Sequence, residues 1–291
     1  MKLSTFLFEL SFSLFYNPRK LEMRVMRSQH FALVALLSTF AILVAVPAFG
    51  AFFPVEITGF NRDIMWGPDG GLGGGYADDV SAGSGTWCTY VTGTSDANGN
   101  TRTDGLPIGN FTSLSNSNHT YALAAAGGDT PSNNVLWLTP SAPTGTLTLA
   151  SPGTYTEIGV VSAAPDNGAE GTITLNYSDS TSATTNFSNG DWFSSSAPSN
   201  AACKGGISSY GAGTLDNCHF VDYAVNLYLT EQVITADSTK TLTGITFTQT
   251  GGPGNINFFA VSGSAVPEPS AIALVVSGTV GLLAYAWRKR K

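Results

Sequence analysis

Positive charge is scarce in the middle of this chain. Between Ala51 and Ala265 only Arg62, Arg102, Lys204 and Lys240 are cationic, against seventeen Asp and Glu, so this stretch carries a net charge near −13. A nucleic-acid partner is excluded, because phosphates need a basic footprint. Histidine is scarcer still: His119 and His219 are the only two in that stretch. Zinc lacks both the ligands and their spacing. Also missing are a Gly-x-Ser-x-Gly elbow, a His-Glu-x-x-His helix and a Gly-Lys-Ser/Thr phosphate loop, which points to a non-enzymatic protein. No apolar stripe of helical period and useful length occurs between Ala51 and Ala265. Lys and Glu are few there, whereas Thr, Val, Ile and aromatics alternate with Gly, Pro and Asn, a composition of strands and turns.

The ends differ from the middle. Phe31–Val46 is an apolar run behind Arg24 and Arg27, followed by Pro47-Ala48-Phe49-Gly50-Ala51. A basic start, an apolar core and small residues at −3 and −1 predict a secretory signal peptide handled by the Sec translocon, cleaved between Gly50 and Ala51. Residues 1–22 carry a separate apolar run, Phe6–Tyr16, ahead of that basic start, so translation is expected to begin at Met23 or Met26. At the other end Val266-Pro267-Glu268-Pro269-Ser270 precedes Ala271–Trp287, which holds no charged residue, and Arg288-Lys289-Arg290-Lys291 closes the chain. Seventeen residues as a helix span about 25 Å, near the lower limit for a bilayer. The terminal cations are expected to stay cytoplasmic. Two prolines should hold the 266–270 segment extended and out of the following helix.

This order of parts resembles the PEP-CTERM sorting signal of exopolysaccharide-producing Gram-negative bacteria. The resemblance implies an exosortase as partner, processing at or near Val266, Pro267, Glu268 and Pro269, and transient residence in the inner membrane before the cell surface or matrix. A permanent single-pass anchor is the competing expectation.

Residues 51–265 are read as one β-sandwich between a signal peptide (1–50) and a sorting signal (266–291). About 210 residues suffice for one sizeable core. Strands are expected over Val55–Phe60, Thr86–Thr92, Val135–Leu138, Gly145–Ala150, Tyr155–Ser162, Gly171–Tyr177, Ser182–Phe187, Val221–Leu229, Thr241–Thr250 and Asn255–Ser262. The runs Tyr155–Ser162, Gly171–Asp179, Asp191-Trp192-Phe193, Asp237–Phe247 and Asn255–Val261 together resemble the galactose-binding-like jelly roll found beside many glycoside hydrolases. Ser180 stands where that pattern usually has Gly.

Three cysteines remain, Cys88, Cys203 and Cys218. In an oxidising compartment Cys203 and Cys218, close in sequence and flanking what reads as a Gly-rich loop, Gly205–Gly213, are expected to pair. Such a closure is worth roughly 3 kcal/mol in the chain-entropy account. Pairing through Cys88 is the alternative. Asp69, Asp78 and Asp79 around the Gly70–Gly75 loop suit a structural calcium, and an acidic surface loop is the plainer expectation. Trp66, Tyr76, Trp87 and Tyr210 are candidate platforms for sugar rings. The leading function is a non-catalytic carbohydrate-binding module, with exopolysaccharide as a possible partner. A structural matrix protein without a specific ligand and a secreted glycan hydrolase stand as alternatives. Amino-terminal sequencing of the exported protein should give Ala51 as its first residue; a start upstream of Pro47 would remove the cleavage assignment.

Overall fold

The computed structural model describes residues 52–67, 87–95, 101–124, 133–165, 167–194, 196–210, 218–220, 226–266 and 269–289. Residues Ala48–Val266 form one compact unit, and Pro267–Lys291 belongs to a second. In chain order the strands are β1 (Phe53–Pro54), β2 (Ile57–Thr58), β3 (Met65–Trp66), β4 (Trp87–Tyr90), β5 (Asn110–Thr112), β6 (Thr120–Ala122), β7 (Leu136–Leu138), β8 (Thr144–Gly153) and β9 (Tyr155–Ala163). They continue as β10 (Ala169–Tyr177), β11 (Ser182–Asn189), β12 (Phe193–Ser194), β13 (Ala201–Tyr210), β14 (Cys218–Phe220), β15 (Asn226–Thr235), β16 (Leu242–Gly251) and β17 (Ile256–Ala265). Helix α1 (Pro269–Arg288) follows. The domain is all-β, as its composition implies.

Among the described residues two large sheets carry the fold. One runs β11-β10-β16-β8-β2. The other runs β1-β17-β9-β15-β13-β4-β3, with β7, β12 and β14 attached at its sides. Period-2 alternation explains why they meet. In β10, Ala169, Gly171, Ile173, Leu175 and Tyr177 are buried, and the residues between them face outward. Leu147 and Leu149 of β8, Ile245 and Phe247 of β16 and Phe187 of β11 complete that inner face. Ile158, Val160, Ile234, Ile256, Phe258 and Val261 from the larger sheet belong to the same core. At its centre Phe247 and Phe258 stack, one ring from each sheet, with centroids 3.9 Å apart. A second core lies on the other side of the larger sheet, where Val161, Leu227, Leu229 and Phe259 pack with Ile64, Leu106, Tyr121 and Trp192.

The stretch expected as a Gly-rich loop is different. Lys204-Gly205-Gly206 lies inside the ten-residue strand β13. A Cβ at Gly206 would collide with the Tyr90 hydroxyl, and one at Gly205 with the Leu106 side chain. The glycines thus permit close packing across a strand rather than a turn. Of the strand expected over Val221–Leu229, residues 226–229 lie in β15, which runs on to Thr235; residues 221–225 lie outside the described residues.

The stacked pair gives a direct stability test. Phe247 is fully buried, and Phe247→Ala should cost about 3–5 kcal/mol, measured by urea unfolding of the purified protein. A loss below about 1 kcal/mol would mean that the two sheets do not share this core.

Candidate functional site

The carboxyl end of the domain is where the fold meets the sorting segment. Strand β17 pairs along its length with β9, in a register that brings Ala265 opposite Tyr155. One residue further, the Val266 amide donates to the Thr154 carbonyl at 3.2 Å. Sheet-like hydrogen bonding therefore holds the first residue of the motif. Pro267 and Glu268 lie outside the described residues. Helix α1 then opens at Pro269. This corrects the expectation that the segment stays extended through Ser270: a proline at the first helical position loses no bond that the helix would make, and its φ already suits the helix.

Val280, Leu282, Leu283, Tyr285 and Trp287 along α1 are all exposed. Side chains of this kind on a water-facing helix would be costly. Among the described residues no helix is long and apolar enough to cross a membrane, so a span over Ala271–Trp287 rests on the sequence. The Lys289 amide bonds the Tyr285 carbonyl at 3.2 Å, and its ammonium lies 5.8 Å from the Tyr285 ring.

Residues 265–291 match the PEP-CTERM protein-sorting motif. The motif marks an exosortase substrate, exported and sorted at a membrane toward the cell surface. No curated protein matches the chain.

A second polar constellation is buried in the domain. Glu231 of β15 accepts hydrogen bonds from the Tyr121 hydroxyl at 2.8 Å and from the Ser115 hydroxyl. His119 Nδ1 lies 3.2 Å from the same carboxylate, and Asn116 reaches His119 Nε2 at 3.0 Å. Phe52 lies against the imidazole, with centroids 4.0 Å apart. Burial, then the Glu231 charge, raises the Tyr121 phenol above its ordinary pKa. Serine, histidine and carboxylate are thus together, but not in a nucleophilic order. The Ser115 hydroxyl donates to the carboxylate rather than to the imidazole, so the three do not stand in the serine–histidine–carboxylate sequence of a hydrolase triad. The group ties the 115–121 segment to β15 through one buried carboxylate. Sequence reasoning missed it because more than a hundred residues separate Glu231 from Ser115, His119 and Tyr121.

The predicted ligand positions fare unevenly. Trp66 lies opposite Tyr90 where β3 and β4 run parallel, and Trp87 opposite Ser209 where β4 meets β13. Tyr210 lies opposite Cys218. Tyr76, the calcium candidates Asp69, Asp78 and Asp79, and the cleavage pair Gly50 and Ala51 lie outside the described residues. Among the described residues no three His, Cys, Asp or Glu side chains gather as metal ligands.

The expected Cys203–Cys218 bond does not form. Cys203 is a free, buried thiol. It faces Leu229, whereas Cys218 faces Tyr210, seven positions further along β13. At about 3.3 Å per residue that is roughly 23 Å, against a Cα limit of about 7 Å for a disulfide. Burial pushes the Cys203 thiol above its ordinary pKa and makes it a poor nucleophile. Peptide mapping without reductant should recover Cys203 as a free thiol, alkylated only after unfolding. A peptide cross-linked through Cys203 would overturn the placement of β13.

Proposed function

We propose that this protein is exported by the Sec route, halted in the inner membrane by Ala271–Trp287, and cut by an exosortase at or near Pro267-Glu268-Pro269. Its ectodomain then acts at the surface, or in the exopolysaccharide matrix of a Gram-negative cell, as a non-catalytic carbohydrate-binding sandwich of jelly-roll type. The observation that carries the sorting half is the order of parts: a held strand end, a two-proline motif, an uncharged stretch and four terminal cations. The cations oppose transfer of the last residues and so fix the domain outside.

The placement of the motif adds a constraint. Only Pro267 and Glu268 lie between the last sheet-bonded residue and α1. An enzyme cutting there acts within a few residues, along the sequence, of the last sheet-bonded position. Whatever accepts the new carboxyl end receives the domain directly. Support for the carbohydrate half comes from the domain's character. It is acidic overall, poor in cations, and rich in Ser, Thr and Asn, a surface that pairs with uncharged hydroxylic polymers and not with polyanions.

Co-expression decides the sorting half. Without an exosortase the full chain should fractionate with the inner membrane. With one, mass spectrometry should find a domain ending between Val266 and Pro269. Exchanging Pro267 and Pro269 for Ala should leave the membrane form uncut and the domain folded. A carboxyl end still at Lys291 beside an active exosortase would favour the permanent anchor instead.

A further inference from the structure

The outer face of the β11-β10-β16-β8 sheet carries a regular hydroxyl lattice, and we propose that this face binds a neutral, extended polysaccharide chain laid across the strands. The proposal rests on the carbohydrate-binding function given above, and assigns it a site and a ligand class. Registry alone builds the lattice. Thr184 of β11 lies opposite Thr174 of β10, Thr174 opposite Thr246 of β16, and Thr246 opposite Thr146 of β8. Four threonines thus form one continuous row. The next row, Asn186, Thr172, Thr248 and Thr144, runs parallel to it. All eight side chains are on the solvent side, with those on β11 and β8 most exposed.

Three properties of the rows select the ligand. The first is spacing. Neighbouring strands lie about 4.8 Å apart, so each row offers a hydrogen-bonding group at roughly the advance of one sugar ring in an extended chain. A linear polymer can follow the twist that neighbouring strands impose, which a flat rigid lattice cannot do across four strands. The second is order. Thr174 and Thr184 hydrogen bond at 2.9 Å, Thr146 and Thr246 at 2.9 Å, and Thr144 and Thr248 at 3.3 Å. Asn176 donates to the Thr246 hydroxyl at 2.9 Å. In each threonine pair one proton is used internally and the other hydroxyl keeps its proton for a partner. The rotamers are fixed before binding, which lowers the entropy cost of using them. The third is charge. Neither row holds an ionic group. Glu170 lies alongside the second row, two positions along β10 from Thr172 and opposite Ser188 and Gly251. On the other side, beyond the first row along the strands, Lys240 lies 3.3 Å from Asp179 and 3.9 Å from Asp237. An uncharged lattice on an acidic domain repels polyanions and gains nothing from polycations at the contact. With no aromatic ring in the rows, binding depends on many weak hydroxyl contacts and grows with chain length.

The test is affinity electrophoresis of the full chain in detergent, through gels cast with a soluble neutral β-glucan or with a polyuronate. Wild type should be retarded by the glucan, and more by long chains than by short oligomers. Thr174→Val with Thr246→Val keeps shape and strand propensity but deletes two hydroxyls, and should weaken retardation about tenfold. Thr174→Ser with Thr246→Ser should restore it. Melting temperatures of both variants confirm that the fold survives. Retardation by glucan unchanged in the valine variant would overturn this face while sparing carbohydrate binding. No retardation of wild type by either polymer would overturn both. Preference for the polyuronate would overturn the neutral ligand. Shaping of ice crystals by wild type, lost in the valine variant and without any glucan retardation, would overturn a sugar ligand in favour of an ordered water surface.

Discussion

Phe258 and Phe259 are neighbours on one strand, yet each completes a different hydrophobic core. An irregular register in β17 lies between Phe258 and Ala260, where a bulge changes the local strand twist and re-aims the side chains. Phe258 stacks on Phe247 between the two large sheets, while Phe259 joins Leu227, Leu229 and Trp192 behind. Nearly every other arrangement in the domain depends on this strand. It lies between β1 and β9 in the larger sheet and also receives β7. The β1 pairing, Phe53 opposite Gly263, brings together residues two hundred positions apart. The chain therefore enters and leaves the domain side by side.

Buried polarity is handled differently on the two sides of the larger sheet. Between the sheets aliphatic and aromatic side chains pack together, and Gln249, buried on the same alternation of β16 as Ile245 and Phe247, donates to the Gly254 carbonyl. Behind, Glu231 is buried with Tyr121, His119 and Ser115 as partners. A lone buried carboxylate would be expensive, and removing a partner would strand it. The cluster fixes the β5–β6 hairpin and its loop against β15 with a specificity that apolar packing lacks. Gly159 of β9 belongs to this arrangement, since a Cβ there would strike the Tyr121 hydroxyl. The polar cluster is therefore an organising element of the fold, distinct from the hydroxyl rows on the opposite outer face.

What the sequence disclosed follows from how local each signal is. In Thr172–Tyr177 apolar and polar residues alternate within six positions, and β10 lies where that alternation predicts. The tail was equally plain, because its parts are contiguous and matched by the sorting motif. β13 was misread because Gly205 and Gly206 look like a turn when Tyr90 and Leu106 are not in view. That error generated the Cys203–Cys218 expectation, as a loop would have folded the two cysteines together and a strand holds them apart. The Glu231 cluster and the threonine rows were not legible for a shared reason. Both are defined by which residue faces which across strands that are far apart in sequence, and a one-residue slip of register would dissolve either.

The position of β17 also bears on the order of events during export. A strand that closes both cores and pairs with β1 cannot act until residue 265 is available. Under vectorial export from the amino end, the domain therefore remains incomplete until nearly its last residue has crossed. The stretch Ala271–Trp287, which the proposed function makes the halt to transfer, follows within a few residues. In that reading, folding and membrane arrest are set close together by chain length alone. The pairing that closes the domain has a large loop-closure cost, repaid only by the full core. In the proposed route, a tail that holds the chain at the membrane would supply time for that closure, and a cut within the motif would act on a chain whose last strand is already in place.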